Sequence, residues 1–154
     1  MAPLSRDDDM NRRTMLASTG LVLSGTVAGC LDRVPGIGLD ARLEPADVEL
    51  VVEDPPDVTV DGDTVIVRGT IQYGSSRCGT IELAHAGYED SQDRLDLLIV
   101  AADDAPWIGG CTDDLVEGGY RVEASVPGRL RRIAVTEHHV FGDAYSTTVR
   151  VSDR

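Results

Sequence analysis

Three histidines, His85, His138 and His139, are all the imidazoles in this chain. With a carboxylate such as Glu137 or Asp143 they are candidate metal ligands, because imidazole and carboxylate are both ligands for zinc. Consecutive strand residues point to opposite faces, so only one of His138 and His139 can share a face with His85. The competing reading is three separate histidines on sheet surfaces and edges. Ser75 and Ser76 stand near Cys78 and His85 and invite comparison with a serine nucleophile. No G-x-S-x-G elbow accompanies them, and Gly74-Ser75-Ser76 reads as a turn. Asp103-Asp104 and Asp113-Asp114 flank a loop and could offer oxygens to calcium. They lack a D-x-D-x-D-G loop, and solvated acids are the simpler reading. No phosphate-cradling glycine loop or nucleotide fingerprint occurs, and no cofactor is expected.

The chain has three cysteines. Cys78 and Cys111 form an even pair, which in an oxidising compartment reads as a disulfide. Closing that loop is worth roughly 3–4 kcal/mol in chain entropy. The rival two-thiolate metal site lacks a second C-x-x-C or a close histidine pair.

The elements that must position these residues read as strands. Val48, Leu50 and Val52 alternate with Glu49 and Val51 until Pro55-Pro56. Val58 and Val60 lead through Asp61-Gly62-Asp63 into the β-branched run from Thr64 to Tyr73, a hairpin signal. Thr80 to Tyr88 is the next strand, with Ile81, Leu83 and His85 expected on one face. The continuous apolar run Leu95 to Ala102 has the length of a central buried strand. Residues 103–119 are the longest irregular stretch and carry Trp107, Gly109, Gly110 and Cys111. Long structureless loops are uncommon and often functional. Tyr120, Val122, Ala124 and Val126 alternate again. Leu130 to Val140 and Ala144 to Val151 pair across Phe141-Gly142-Asp143. This is an all-β pattern: an antiparallel, immunoglobulin-like β-sandwich of seven or eight strands. The antibody arrangement of a buried Trp between two Cys is absent, since Trp107 lies in the loop beside Cys111.

The chain of 154 residues has a net charge of −13, and it contains no lysine at all. Residues 1–29 carry as many arginines as aspartates, so the whole acidic excess lies beyond them. Nucleic-acid binding needs clustered positive charge and is not expected. The acids are scattered, from Asp47 and Glu49 to Asp93 and Asp96, as a solvated skin.

The N-terminus carries an address. A polar head holds Arg6, Arg12 and Arg13. An uncharged stretch, 14–29, would reach only about 24 Å as a helix, short of the roughly 30 Å hydrocarbon core. A cleavable signal fits better than a membrane span. Arg12-Arg13-Thr14-Met15-Leu16 resembles a twin-arginine translocation signal, and Val27-Ala28-Gly29-Cys30 resembles a lipobox. With the acidic, lysine-free composition, the whole resembles a haloarchaeal secreted lipoprotein. The resemblance covers about thirty residues and implies a signal peptide at 1–29 and lipid on Cys30. Residues 30–46, with two Pro and two Gly, read as a tether, and 47–154 as the sandwich domain. A diacyl modification fits a stable anchor. The implied location is the extracytoplasmic face of the cell membrane.

The expected function is a non-enzymatic binding or interaction module, held to the membrane by its lipid and engaging a protein partner or small-molecule ligand. Trp107, Gly109 and Gly110 mark its contact surface. Two alternatives stand beside it. One is a metal-dependent or hydrolytic surface enzyme using His85 with His138 or His139. The other is an accessory solute-binding domain, for which the chain is short. One consequence follows from charge alone. Like charges are screened within about 3 Å at 1 M salt. The melting temperature is therefore expected to rise steeply from low to molar salt; a flat dependence in a thermal melt would mean that local arginines already offset the acids.

Overall fold

The computed structural model describes residues 33–35, 38–104 and 109–152. Arg12, Arg13, Cys30 and Trp107 lie outside them, so the signal, the anchor and the indole have no structural account. The described residues form nine strands and no helix. They are β1 (Arg33–Pro35), β2 (Asp40–Pro45), β3 (Asp57–Asp61), β4 (Thr64–Gly74), β5 (Gly79–Glu89), β6 (Arg94–Asp103), β7 (Leu115–Ser125), β8 (Arg132–His138) and β9 (Ala144–Arg150). One sheet has the order β1-β2-β7-β4-β3 and the other β5-β6-β8-β9. The ladders are antiparallel except between β6 and β8, which run parallel. The expected all-β sandwich is thus present.

Period-two alternation builds the core. On β4 Val65, Val67 and Ile71 face inward; on β7 Tyr120, Val122 and Ala124; on β6 Leu95, Leu97 and Ile99; on β8 Ile133 and Val135. The apolar run 95–102 is indeed central, between β5 and β8. The two expected hairpins also form: β3 and β4 close across Gly62-Asp63, and β8 and β9 close beside Gly142.

Four local expectations need correction. First, the assigned tether contains β2, which pairs with β7 from Asp40 to Pro45, and Leu39, Ala41 and Leu43 are buried. The alternation was there, but short, and Pro45 hid it. The sandwich therefore begins before residue 47, and the ninth strand, β1, also falls in this span. Second, the 48–52 segment joins no ladder, and Val52 already belongs to a turn. Single bonds hold it: Thr70 Oγ1 donates to Leu50 O (2.7 Å), Asp54 N–H donates to Val51 O (3.0 Å), and just before it Ala46 N–H donates to Gly119 O (3.0 Å). Third, the loop is only 104–114, because 115–119 belong to β7. Gly119 suits this crossing: a Cβ there would strike Ala46 O and stand 2.7 Å from Val48 Cγ2. Its glycines read as loop punctuation, whereas they mark close approach of neighbouring chain. Fourth, β5 has a bulge between Leu83 and His85. The inserted residue resets the alternation. Leu83 and Ala86 point in, and His85 is exposed.

The place of β2 is testable by truncation. Two buried leucines at roughly 2 kcal/mol each, with the bared edge of β7, are a large part of a typical 5–15 kcal/mol stability. A chain starting at Gly38 should melt like the full chain, and one starting at Asp47 should melt far lower by circular dichroism. Equal melting temperatures would put β2 outside the cooperative unit.

Candidate functional site

The loop-bearing end of the sandwich is organised by the Cys78–Cys111 disulfide, whose Cα atoms are 5.4 Å apart. It joins the start of β5 to the loop before β7. Around it, side-chain oxygens take over hydrogen bonds that no strand supplies. Ser75, at φ 69°, accepts from the Cys78 and Thr112 N–H groups at its Oγ (3.1 and 3.0 Å). Thr112 Oγ1 accepts from Arg77 N–H (3.3 Å). Asp114 accepts from Ser76 N–H at Oδ1 (2.9 Å) and from Ser75 N–H at its carbonyl (2.7 Å). Hydrogen bonds from Thr112 and then from Ser76 hold the Asp114 carboxyl down to about 2. The Ser75 hydroxyl is thus occupied as a turn acceptor, and the Ser76 hydroxyl lies 3.2 Å from Thr112 Oγ1. Gly109 and Gly110 are exposed beside the disulfide.

The histidines do not converge. His85 stands on the outer face of the β5-β6-β8-β9 sheet, its ring lying back toward Gly87. His138 is on the same outer face, but two strands away. In register His85 opposes Leu98 and His138 opposes Val100, so outward side chains of β6 stand between them. At about 4.8 Å per strand the lateral gap is roughly 10 Å. His139 turns inward and is 5% exposed. Among the described residues no group of three His, Cys, Asp or Glu gathers as a metal site.

What the fold does bring together is a buried polar cluster. Glu137 follows Ile133 and Val135 on the inner face of β8 and is 0% exposed. Its Oε1 accepts a 2.6 Å hydrogen bond from the Tyr120 hydroxyl on the other sheet. The space comes from Gly69, which pairs with Tyr120 across β4 and β7. A Cβ on Gly69 would collide with Glu137 Oε1 and lie 2.7 Å from the Tyr120 oxygen. Glu137 Oε2 and His139 Nε2 are buried without a hydrogen-bond partner among the described residues. His139 Nδ1 accepts from Gln72 N–H (3.1 Å), so the ring proton sits on Nε2. The ring meets Tyr145 edge-on at 5.2 Å between centroids, and burial holds its pKa below the usual value.

Desolvation raises the Glu137 carboxyl from 4.5 to about 7, against a smaller downward pull from the Tyr120 hydrogen bond. Tyr120 is likewise raised, by burial first and the Glu137 charge second. Burial thus favours the protonated form of both groups. Sequence alternation held the signal: Glu137 and His139 share parity with Ile133 and Val135. In sequence Glu137 reads as a ligand partner for the histidines, and Gly69 carries no signal within its β-branched strand.

The sign of the pH effect follows. The Glu137 pKa is higher folded than unfolded, so folding takes up a proton between about 4.5 and about 7. The stability it contributes is whole below the lower value and lost as pH rises through the upper one. The loss is about 3 kcal/mol at 1.36 kcal/mol per unit. Glu137→Gln keeps the oxygen that Tyr120 needs and removes the titration. Chemical denaturation from pH 4.5 to 8 should show the variant gaining on the wild type by about that amount. A pH-independent difference would mean that the carboxylate is hydrated. Comparison of the chain with family models, with curated proteins and with solved structures finds no match.

Proposed function

We infer that this chain is a membrane-anchored, extracytoplasmic binding module, an immunoglobulin-like sandwich held by lipid on Cys30 and presenting the disulfide-pinned loop to a protein or small-molecule ligand. The observation that supports it most directly is the Cys78–Cys111 bond. Disulfides persist in oxidising compartments, and pairing these two leaves Cys30 as the single thiol for the lipobox-like sequence. The sandwich supports the immunoglobulin-like grouping through its two sheets and end-clustered loops; the parallel β6–β8 pair departs from simple antiparallel order.

The binding role rests on the disulfide-pinned loop. Asp104 N–H donates to Cys78 O (2.6 Å), and Thr112 and Asp114 are tied to the turn at Ser75 and Ser76; a ligand meeting Gly109 and Gly110 beside these fixed points would pay less ordering entropy, and preorganisation of that kind favours affinity. Trp107 belongs to the same loop by sequence, and an indole suits a binding hot spot.

The address is tested directly. Cys30→Ala should release the protein to the medium or leave it as uncleaved precursor, and replacing Arg12 and Arg13 by Lys should hold precursor in the cytoplasm. Cell fractionation with immunoblotting reads both. A Cys30→Ala protein that stays processed and membrane-bound would remove the anchor from the proposal.

A further inference from the structure

At the end of the sandwich away from the disulfide, an acidic protein gathers arginines. β6 pairs with β8 through Arg94 and Arg132, and β8 pairs with β9 through Arg132 and Arg150. The three are thus neighbours in one row across the sheet. All point outward, since Leu95 and Ile133 beside them point in. Arg131 lies next to the row, and the four arginines line an open depression of about 460 Å3 together with Ser91, Gln92 and one carboxylate, Asp93. Like charges directly opposite one another on a sheet are destabilising. A chain of net charge −13 has no shortage of acids to separate them.

The row is only half neutralised. Arg94 Nε reaches Asp96 (2.7 Å) and Arg131 Nε reaches Asp93 (3.1 Å). Arg132 and Arg150 have no carboxylate within ion-pair distance among the described residues. Two positive charges are therefore left without an acidic partner among the described residues. The backbone beneath them is fixed. Asp93, at φ 50°, accepts from the N–H groups of both Arg131 and Arg132 at its carbonyl (2.8 and 3.2 Å). The Tyr88 hydroxyl donates to Arg129 O (2.6 Å) and ties β5 to the loop before β8.

Guanidinium groups side by side match the oxygens of a tetrahedral anion and bind it in forked pairs. A phosphate monoester or inorganic phosphate carries about −1.5 to −2 near neutral pH, the charge that Arg132 and Arg150 call for. On this geometry we propose that Arg132 and Arg150, walled by Arg94 and Arg131, form a binding site for a phosphate group of that charge. The site is independent of the loop-borne reading above. It lies at the far end of β6 from Asp103, roughly 30 Å along the strand, and needs neither the anchor nor the disulfide.

The test follows the arginine side chains. In the full chain, labelled with nitrogen-15, the Nε–H signals of Arg132 and Arg150 are followed near pH 7.5. Inorganic phosphate is added at an ionic strength held constant with chloride. Saturable shifts are expected with phosphate and not with chloride alone. Binding should weaken at least about tenfold, or vanish, in Arg132→Gln/Arg150→Gln, since each forked pair lost weakens the grip. Both side chains are exposed and make no ion pair among the described residues, so the variant should keep the wild-type melting temperature. Sedimentation with vesicles containing a lipid phosphomonoester, lost in the variant, would identify a headgroup as the source. Phosphate binding without sedimentation would identify a soluble phosphate. Equal response to chloride and phosphate, or undiminished phosphate binding by the folded double variant, overturns the site.

Discussion

The 2.6 Å hydrogen bond from Tyr120 to Glu137 governs how the two sheets meet. Among the described residues Tyr120 is the largest fully buried side chain, in an interior made mainly of Val, Ile, Leu and Ala. Its hydroxyl cannot be left dry without a partner, because an unsatisfied buried donor costs about 1–3 kcal/mol. Glu137 meets that need from the opposite sheet, Gly69 leaves room for both, and the strands carrying them are thereby held to one inter-sheet register. The carboxyl bears the cost as a pKa raised to about 7. A neutral carboxylic acid can sit in such a place; a charged one resists it.

The same economy explains the surface. Acids crowd the outside, and Arg121 pairs with Glu44 across β2 and β7 and with Glu123 along β7 itself. Exposed pairs of this kind contribute little individually. Their role is to break up repulsion locally, and Arg121 does so between two glutamates. Against that background the arginine row stands out, since it sets three like charges side by side across three strands.

Much of the fold was legible because alternation is local. The hairpins at Gly62-Asp63 and Gly142, the central run 95–102 and the all-β class all follow from period two and turn residues. The failures share a cause. A bulge in β5, the entry of Gly118-Gly119 into β7, and the partnerless 48–52 segment depend on which chain lies alongside, and single-sequence patterns are silent about neighbours. β2 was missed because three alternating residues are too few to stand out. For the sites, the disulfide was readable by counting cysteines and Glu137 by parity. The arginine row was not, because Arg94, Arg132 and Arg150 become neighbours only through the register of three strands.

The Cys78–Cys111 bond also has a mechanical meaning. It encloses β5 and β6 in a covalent loop with a sequence separation of 33. A pull between the two ends of the chain would travel through the sulfurs and bypass that hairpin. At about 3.3–3.6 Å per extended residue, roughly 110 Å of contour length is withheld from stretching. Under tension the domain would thus behave as a shorter tether than its residue number implies, with one internal hairpin that no end-to-end force can draw out.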